Sequence, residues 1–199
     1  ATCDLDMHLH IWIDDAQTEL TAADVLDQQI DENDDCAAVL VYPSRDAAFP
    51  PNQLAPEFQW LPGWFDDLFI VRIESQYVHV LATTYDQRWR SELDLLRILS
   101  RSEDGGRVAV ETQLLSADYD DRNQVFDSPP CTSSRAHEIE VSNLVLPGSV
   151  VYWSPVTEGL WSIEIGATEA VPLLDPDRTG ECVGCHAMNT GAPDRLSMA

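Results

Sequence analysis

The sequence predicts a mainly β fold, an antiparallel β-sandwich between an N-terminal extension and a loop-rich C-terminal segment. Three observations carry this: short runs of β-branched and aromatic residues from residue 38 onward, turn signals between them at sandwich-like spacing, and a change of texture at each end. With 199 residues and 44% apolar content the chain suffices for one sizeable domain with extensions, whereas two full-size domains would be crowded.

Residues 1–37 read as the extension. His8-Leu9-His10-Ile11-Trp12-Ile13 starts with the alternation of a short strand. Thr21 to Ile30 reads as a short helix, with Thr21 as N-cap and Asp24 favourable in the first turn. Asp31 to Asp35 ends it as a solvated acidic turn, since a calcium loop would need a glycine and a ligand spacing that are absent.

Residues 38–170 read as the sandwich. Strands are expected at Ala38 to Tyr42, Glu57 to Trp60, Leu68 to Glu74, Tyr77 to Ala82, Arg107 to Thr112, His137 to Val141, Val150 to Ser154 and Leu160 to Ile165. Only Ser91 to Leu99 reads as a helix between them. Trp60, Trp153 and Trp161 fall on these strands and are assigned to the core; Trp12 is harder to place. Residues 171–199, with Pro172, Pro176, Pro193 and three glycines, read as a loop-rich appendage with one short helix around Val183 to Ala187. No internal repeat is visible, which argues against a solenoid or a complete propeller.

The charge is lopsided: 35 acidic residues face 11 basic ones, all of them arginine, for a net −24. Such a surface repels phosphate backbones and anionic headgroups, so neither nucleic acid nor a membrane surface is an expected partner. No apolar run is long enough to span a bilayer. The N-terminus lacks a basic region followed by an apolar core; an extracytoplasmic location, periplasmic or extracellular, is the expectation, on which the signal peptide has already been removed.

Five cysteines are present, two of them in Cys182-Val183-Gly184-Cys185-His186. Two thiols at this spacing reach the two vinyl groups of a haem, and the next imidazole can bind its iron, so the motif reads as attachment of one covalent haem c through Cys182 and Cys185, with His186 axial. A redox dithiol would expect a β-α-β context that is missing; a structural zinc site, completed by His8 and His10, is the other rival. Cys3, Cys36 and Cys131 remain, with Cys3–Cys36 the preferred disulfide and unpaired buried thiols the plain alternative.

The second axial position separates an electron carrier from a ligand-binding haem. Met188 is too close to His186 to cross the ring, whereas Met198, twelve residues on, can wrap around the haem edge and is the expected distal ligand. His8, His10, His79 and His137 are the other candidates, beside an open position. No nucleophile and base motif is present, which favours a carrier over an enzyme.

Together Val41-Tyr42-Pro43-Ser44-Arg45-Asp46-Ala47-Ala48-Phe49-Pro50-Pro51-Asn52, Ala55-Pro56-Glu57-Phe58-Gln59-Trp60, Val151-Tyr152-Trp153-Ser154 and Cys182 to Ala187 resemble a group of secreted bacterial c-type haem proteins of myxobacterial type. The resemblance implies a fibronectin- or immunoglobulin-like sandwich followed by the haem segment, as found ahead of TolB-like propellers. Asn189 to Arg195 departs from that group's pattern after the histidine. The expected function is a monohaem c-type cytochrome, transferring single electrons to a redox partner, basic in character, or to copies of itself. The alternatives are a binding or assembly module with structural haem or zinc, and a peroxidase-like haem enzyme.

Overall fold

The computed structural model describes residues 8–65, 67–103 and 106–180, with backbone alone at Arg178, at 186–188 and at 196–198. In chain order the first elements are β1 (Leu9–Asp14), α1 (Ala22–Leu26), β2 (Asp31–Glu32), β3 (Val39–Tyr42), β4 (Ala47–Phe49), β5 (Phe58–Leu61), β6 (Leu68–Glu74) and β7 (Val78–Thr84). There follow β8 (Arg88–Trp89), α2 (Leu95–Ser102), β9 (Arg107–Ala117), β10 (Tyr119–Asp120), β11 (Val125–Phe126), β12 (Cys131–Thr132) and β13 (His137–Ser142). The last are β14 (Ser149–Ser154), β15 (Gly159–Glu164), β16 (Val171–Leu174), α3 (Pro176–Thr179), β17 (His186–Met188) and β18 (Leu196–Met198). Among the described residues the fold is mainly β, with three short helices.

Two compact units are present, one of residues 1–51 and 55–145, the other of residues 52–54 and 146–199. These boundaries differ from those expected at 37/38 and 170/171. In the first unit an eight-stranded sheet runs β1-β7-β6-β9. β9 is eleven residues long, and its far side is shared by β13 along its start and β12 near its end; β4 and β2 complete these two branches.

The sequence LFIV opening β6 is apolar without alternation because both faces of the sheet are covered. Phe69, Val71 and Ile73 pack on one side with Phe58, Trp60 and Trp89 of the small β3-β5-β8 sheet and with Leu95, Leu96 and Leu99 of α2. Leu68 and Ile70 pack on the other with Leu20, Val25 of α1 and Tyr119. Thr21 caps α1 reciprocally: its amide and hydroxyl donate to Asp24 Oδ2 at 2.7 and 2.6 Å, and the Asp24 amide donates back to its Oγ1 at 3.3 Å.

All eight expected strands form, but purely antiparallel pairing does not hold. β1 runs parallel to β7, β2 to β12 and β4 to β13. Each pair joins segments far apart in the chain, which no hairpin constrains to be antiparallel. Nor is the described part of residues 1–37 an appendage, because β1 is bonded to β7 along its whole length and shields an edge that would otherwise be open. Its Ile11 and Ile13 pack on one core cluster and Trp12 on the other.

In the second unit β14, β15 and β16 form an antiparallel sheet. Trp153, assigned to the core from its strand position, is 38% exposed, because this three-stranded sheet does not bury both of its faces. Asn52 is tied to this unit, its side-chain amide donating to the Leu146 carbonyl and its Oδ1 accepting from the Leu146 amide at 2.8 and 3.0 Å. Gly166, at φ +90°, passes so close to the Asn52 carbonyl oxygen that a Cβ would overlap it.

Candidate functional site

The chain enters the Cys-x-x-Cys-His motif from α3, a single turn with Pro176 at its start and Asp177 in its first turn. The Gly180 amide donates to the Pro176 carbonyl at 2.7 Å, and Gly180 leaves the turn at φ +76°, a left-handed conformation that glycine adopts without a Cβ penalty. Cys182 and Cys185 lie outside the described residues. From His186 to Met188 the backbone is extended, so the short helix expected around Val183 to Ala187 does not continue past Cys185.

β17 and β18 pair antiparallel, with His186 directly opposite Met198. Directly opposed Cα atoms in such a pair are about 4.5–5.5 Å apart. A porphyrin ring with a ligand bond on each face does not fit between backbones that close, so axial ligation by both residues requires this hairpin to open. The side chains of His186 and Met198 lie outside the described residues.

The other histidines separate into two groups. His8, His10 and His79 gather at one edge of the large sheet: His8 Nδ1 lies 3.2 Å from His79 Nε2, and the His10 and His79 rings stack with centroids 4.9 Å apart. His137 opens β13 opposite Thr112, beside a cavity of about 230 Å³ that Asp34, Arg45 and Arg135 also line. Among the described residues, no three His, Cys, Asp or Glu side chains are arranged to hold one metal ion.

Cys36 forms a disulfide with Cys131, their Cα atoms 6.1 Å apart, which corrects the expected Cys3–Cys36 pair. Cys3 itself lies outside the described residues. The partner was decided by β2 docking beside β12, which carries the turn after Asp31 onto Cys131. Asp34 ties the same corner: it accepts from the Ser134 amide at 2.8 Å and from the Ser133 and Ser134 hydroxyls at 2.9 and 3.1 Å, and these bonds hold its carboxyl below the usual carboxylate range. That role was hidden in the sequence, where Asp34 is one of a run of acids. Searches against protein-family models, curated proteins and solved structures found no match to this chain.

Proposed function

We propose that this chain is a monohaem c-type cytochrome that transfers single electrons outside the cytoplasm. The observation that carries the reading is the motif Cys182-Val183-Gly184-Cys185-His186, whose donor set of two thiols and an adjacent imidazole suits covalent attachment of haem c. Cys182 and Cys185 would hold it through thioether bonds and His186 through its iron. Bound there, haem supplies a reversible one-electron Fe(III)/Fe(II) couple. The Cys36–Cys131 disulfide supports an oxidising compartment, since such bonds are rare where glutathione keeps thiols reduced. Electrons would pass to a basic redox partner or to another copy, and Met198 would serve as the distal ligand only with the β17-β18 pairing broken. On this reading the β-rich first unit, related to the fibronectin-like sandwiches by the sequence resemblance, serves as scaffold and docking surface.

The test is intact mass together with a pyridine haemochrome spectrum. One haem of excess mass that survives denaturation, and is lost in Cys182→Ala/Cys185→Ala, is the expected outcome; an unmodified chain sinks the proposal, and a metal-only excess favours structural zinc. A second reading, a binding or assembly module, draws on the β14-β15-β16 sheet, which exposes Val150, Tyr152, Trp153, Val171 and Leu173. Self-association lost in Tyr152→Ser and Val171→Ser, without change in the haem spectrum, would favour it. The peroxidase-like reading predicts cyanide or carbon monoxide binding at neutral pH.

A further inference from the structure

The strand register draws a single line of side chains across one face of the large sheet. His10 on β1 faces His79 on β7, His79 faces Glu74 on β6, Glu74 faces Glu111 on β9, and Glu111 faces Glu138 on β13. Directly opposed residues project to the same side, so two imidazoles and three carboxylates share one row. Arg72 pairs with Glu74 at 2.7 Å, yet the row as a whole favours cations. The imidazole end is accessible, because His10, His79 and Glu74 line a surface groove of about 290 Å³.

At that end the nitrogens already stand at a coordinating distance. His8 Nδ1 and His79 Nε2 are 3.2 Å apart, and the edge of a tetrahedron of nitrogens around a zinc-like ion is about 3.3 Å for metal–nitrogen bonds of about 2.0 Å. Glu74 Oε1 lies 3.4 Å from His79 Nδ1. A carboxylate behind the far ring nitrogen keeps the proton there and turns the Nε2 lone pair outward, the arrangement that orients histidine ligands in metal sites.

We propose that His8 and His79 form a site for a divalent late transition-metal ion such as Cu²⁺ or Zn²⁺, with Glu74 as the positioning residue behind His79. Imidazole nitrogens suit these ions over magnesium or calcium. Three ligands do not converge as the side chains stand; His10, exposed and stacked on His79 with an interplanar angle of 12°, becomes the third by a rotamer change, and water completes the shell. In the metal-free protein the same two nitrogens stand at hydrogen-bond distance, 3.2 Å apart. The proposal does not rest on the haem assignment: with Met198 as the distal ligand, haem uses Cys182, Cys185, His186 and Met198, and none of the residues of this site.

The test is titration of the tag-free full-length protein with CuCl₂, followed by calorimetry and by electron paramagnetic resonance of the bound copper. One saturable site per chain with nitrogen hyperfine structure is expected. His8→Gln and His79→Gln should each weaken binding by about tenfold or more, and Glu74→Gln by about tenfold, the usual effect of removing such a support. His8 is exposed at the sheet edge, so the circular dichroism spectrum of His8→Gln is expected to match the parent and to separate loss of a ligand from loss of fold. No saturable site, a site indifferent to His8→Gln or to His79→Gln, or a copper spectrum with thiolate character would each overturn the proposal. The haem spectrum, recorded on the same samples, reports the other reading independently.

Discussion

Cys36 and Cys131 are 95 positions apart, and closing a loop of that size removes about 4–5 kcal/mol of chain entropy from the unfolded state. The Cys36→Ser/Cys131→Ser variant should therefore lose about 2–5 kcal/mol, the range measured when native disulfides are removed. Urea unfolding checks this, and the parent protein in reductant should move the same way. Tyr85 sets an alkaline limit. Burial, then its hydrogen bond to Asp121 at 3.0 Å, push its phenol up to about 12 from an ordinary 10.0, and Tyr119 is raised too, again mainly by burial. Between those values the folded protein keeps a proton that the unfolded chain has lost, so this contribution is whole below about pH 10 and disappears as pH rises through about 12. Melting temperature against pH should fall over that window, and less steeply in Tyr85→Phe.

At the scale of elements, the capping box of α1 and the two-sided burial of β6 show where stability is concentrated. α1 is only five residues long, too short to persist on its own, and is held by Val25 in the core and by the reciprocal Thr21 and Asp24 bonds. Thr21→Ala is expected to cost about 1 kcal/mol by thermal melting. Phe69 is fully buried between the large sheet and the β3-β5-β8 layer. Removing it leaves a cavity that the crossing strands cannot close, so Phe69→Ala should cost about 3–5 kcal/mol. A denaturation midpoint barely changed from the parent would contradict that packing.

For the whole molecule the dominant fact is the net charge of −24, carried with arginine as its only basic side chain other than histidine. Such a field is screened within about 8–10 Å at ordinary ionic strength, and on the proposed function it would attract a basic electron-transfer partner from a distance. Association with a basic redox protein should accordingly slow steeply as salt is raised, chiefly through the on-rate. Stopped-flow rates that do not change with salt would remove the electrostatic part of the functional reading. Among the described residues no helix is long and apolar enough to cross a membrane, in keeping with the hydropathy of the sequence.

The eight main strands were legible because each is a short β-branched run bounded by turn residues, and that pattern is local. The Thr21 cap was legible for the same reason; the Cys-x-x-Cys-His motif is likewise local, and its haem is the proposal made above. The tertiary structure decided what depends on contacts between distant segments. It placed β1 parallel to β7, so that the described part of a supposed extension became part of the central sheet, and it joined Cys36 to Cys131, a choice among three cysteines that sequence spacing does not rank. It also brought His10, His79 and Glu74 from three strands into one patch with His8, which precedes β1. Periodicity reports which face of a strand is buried, but the neighbour that strand meets is set by packing energies summed over the whole unit.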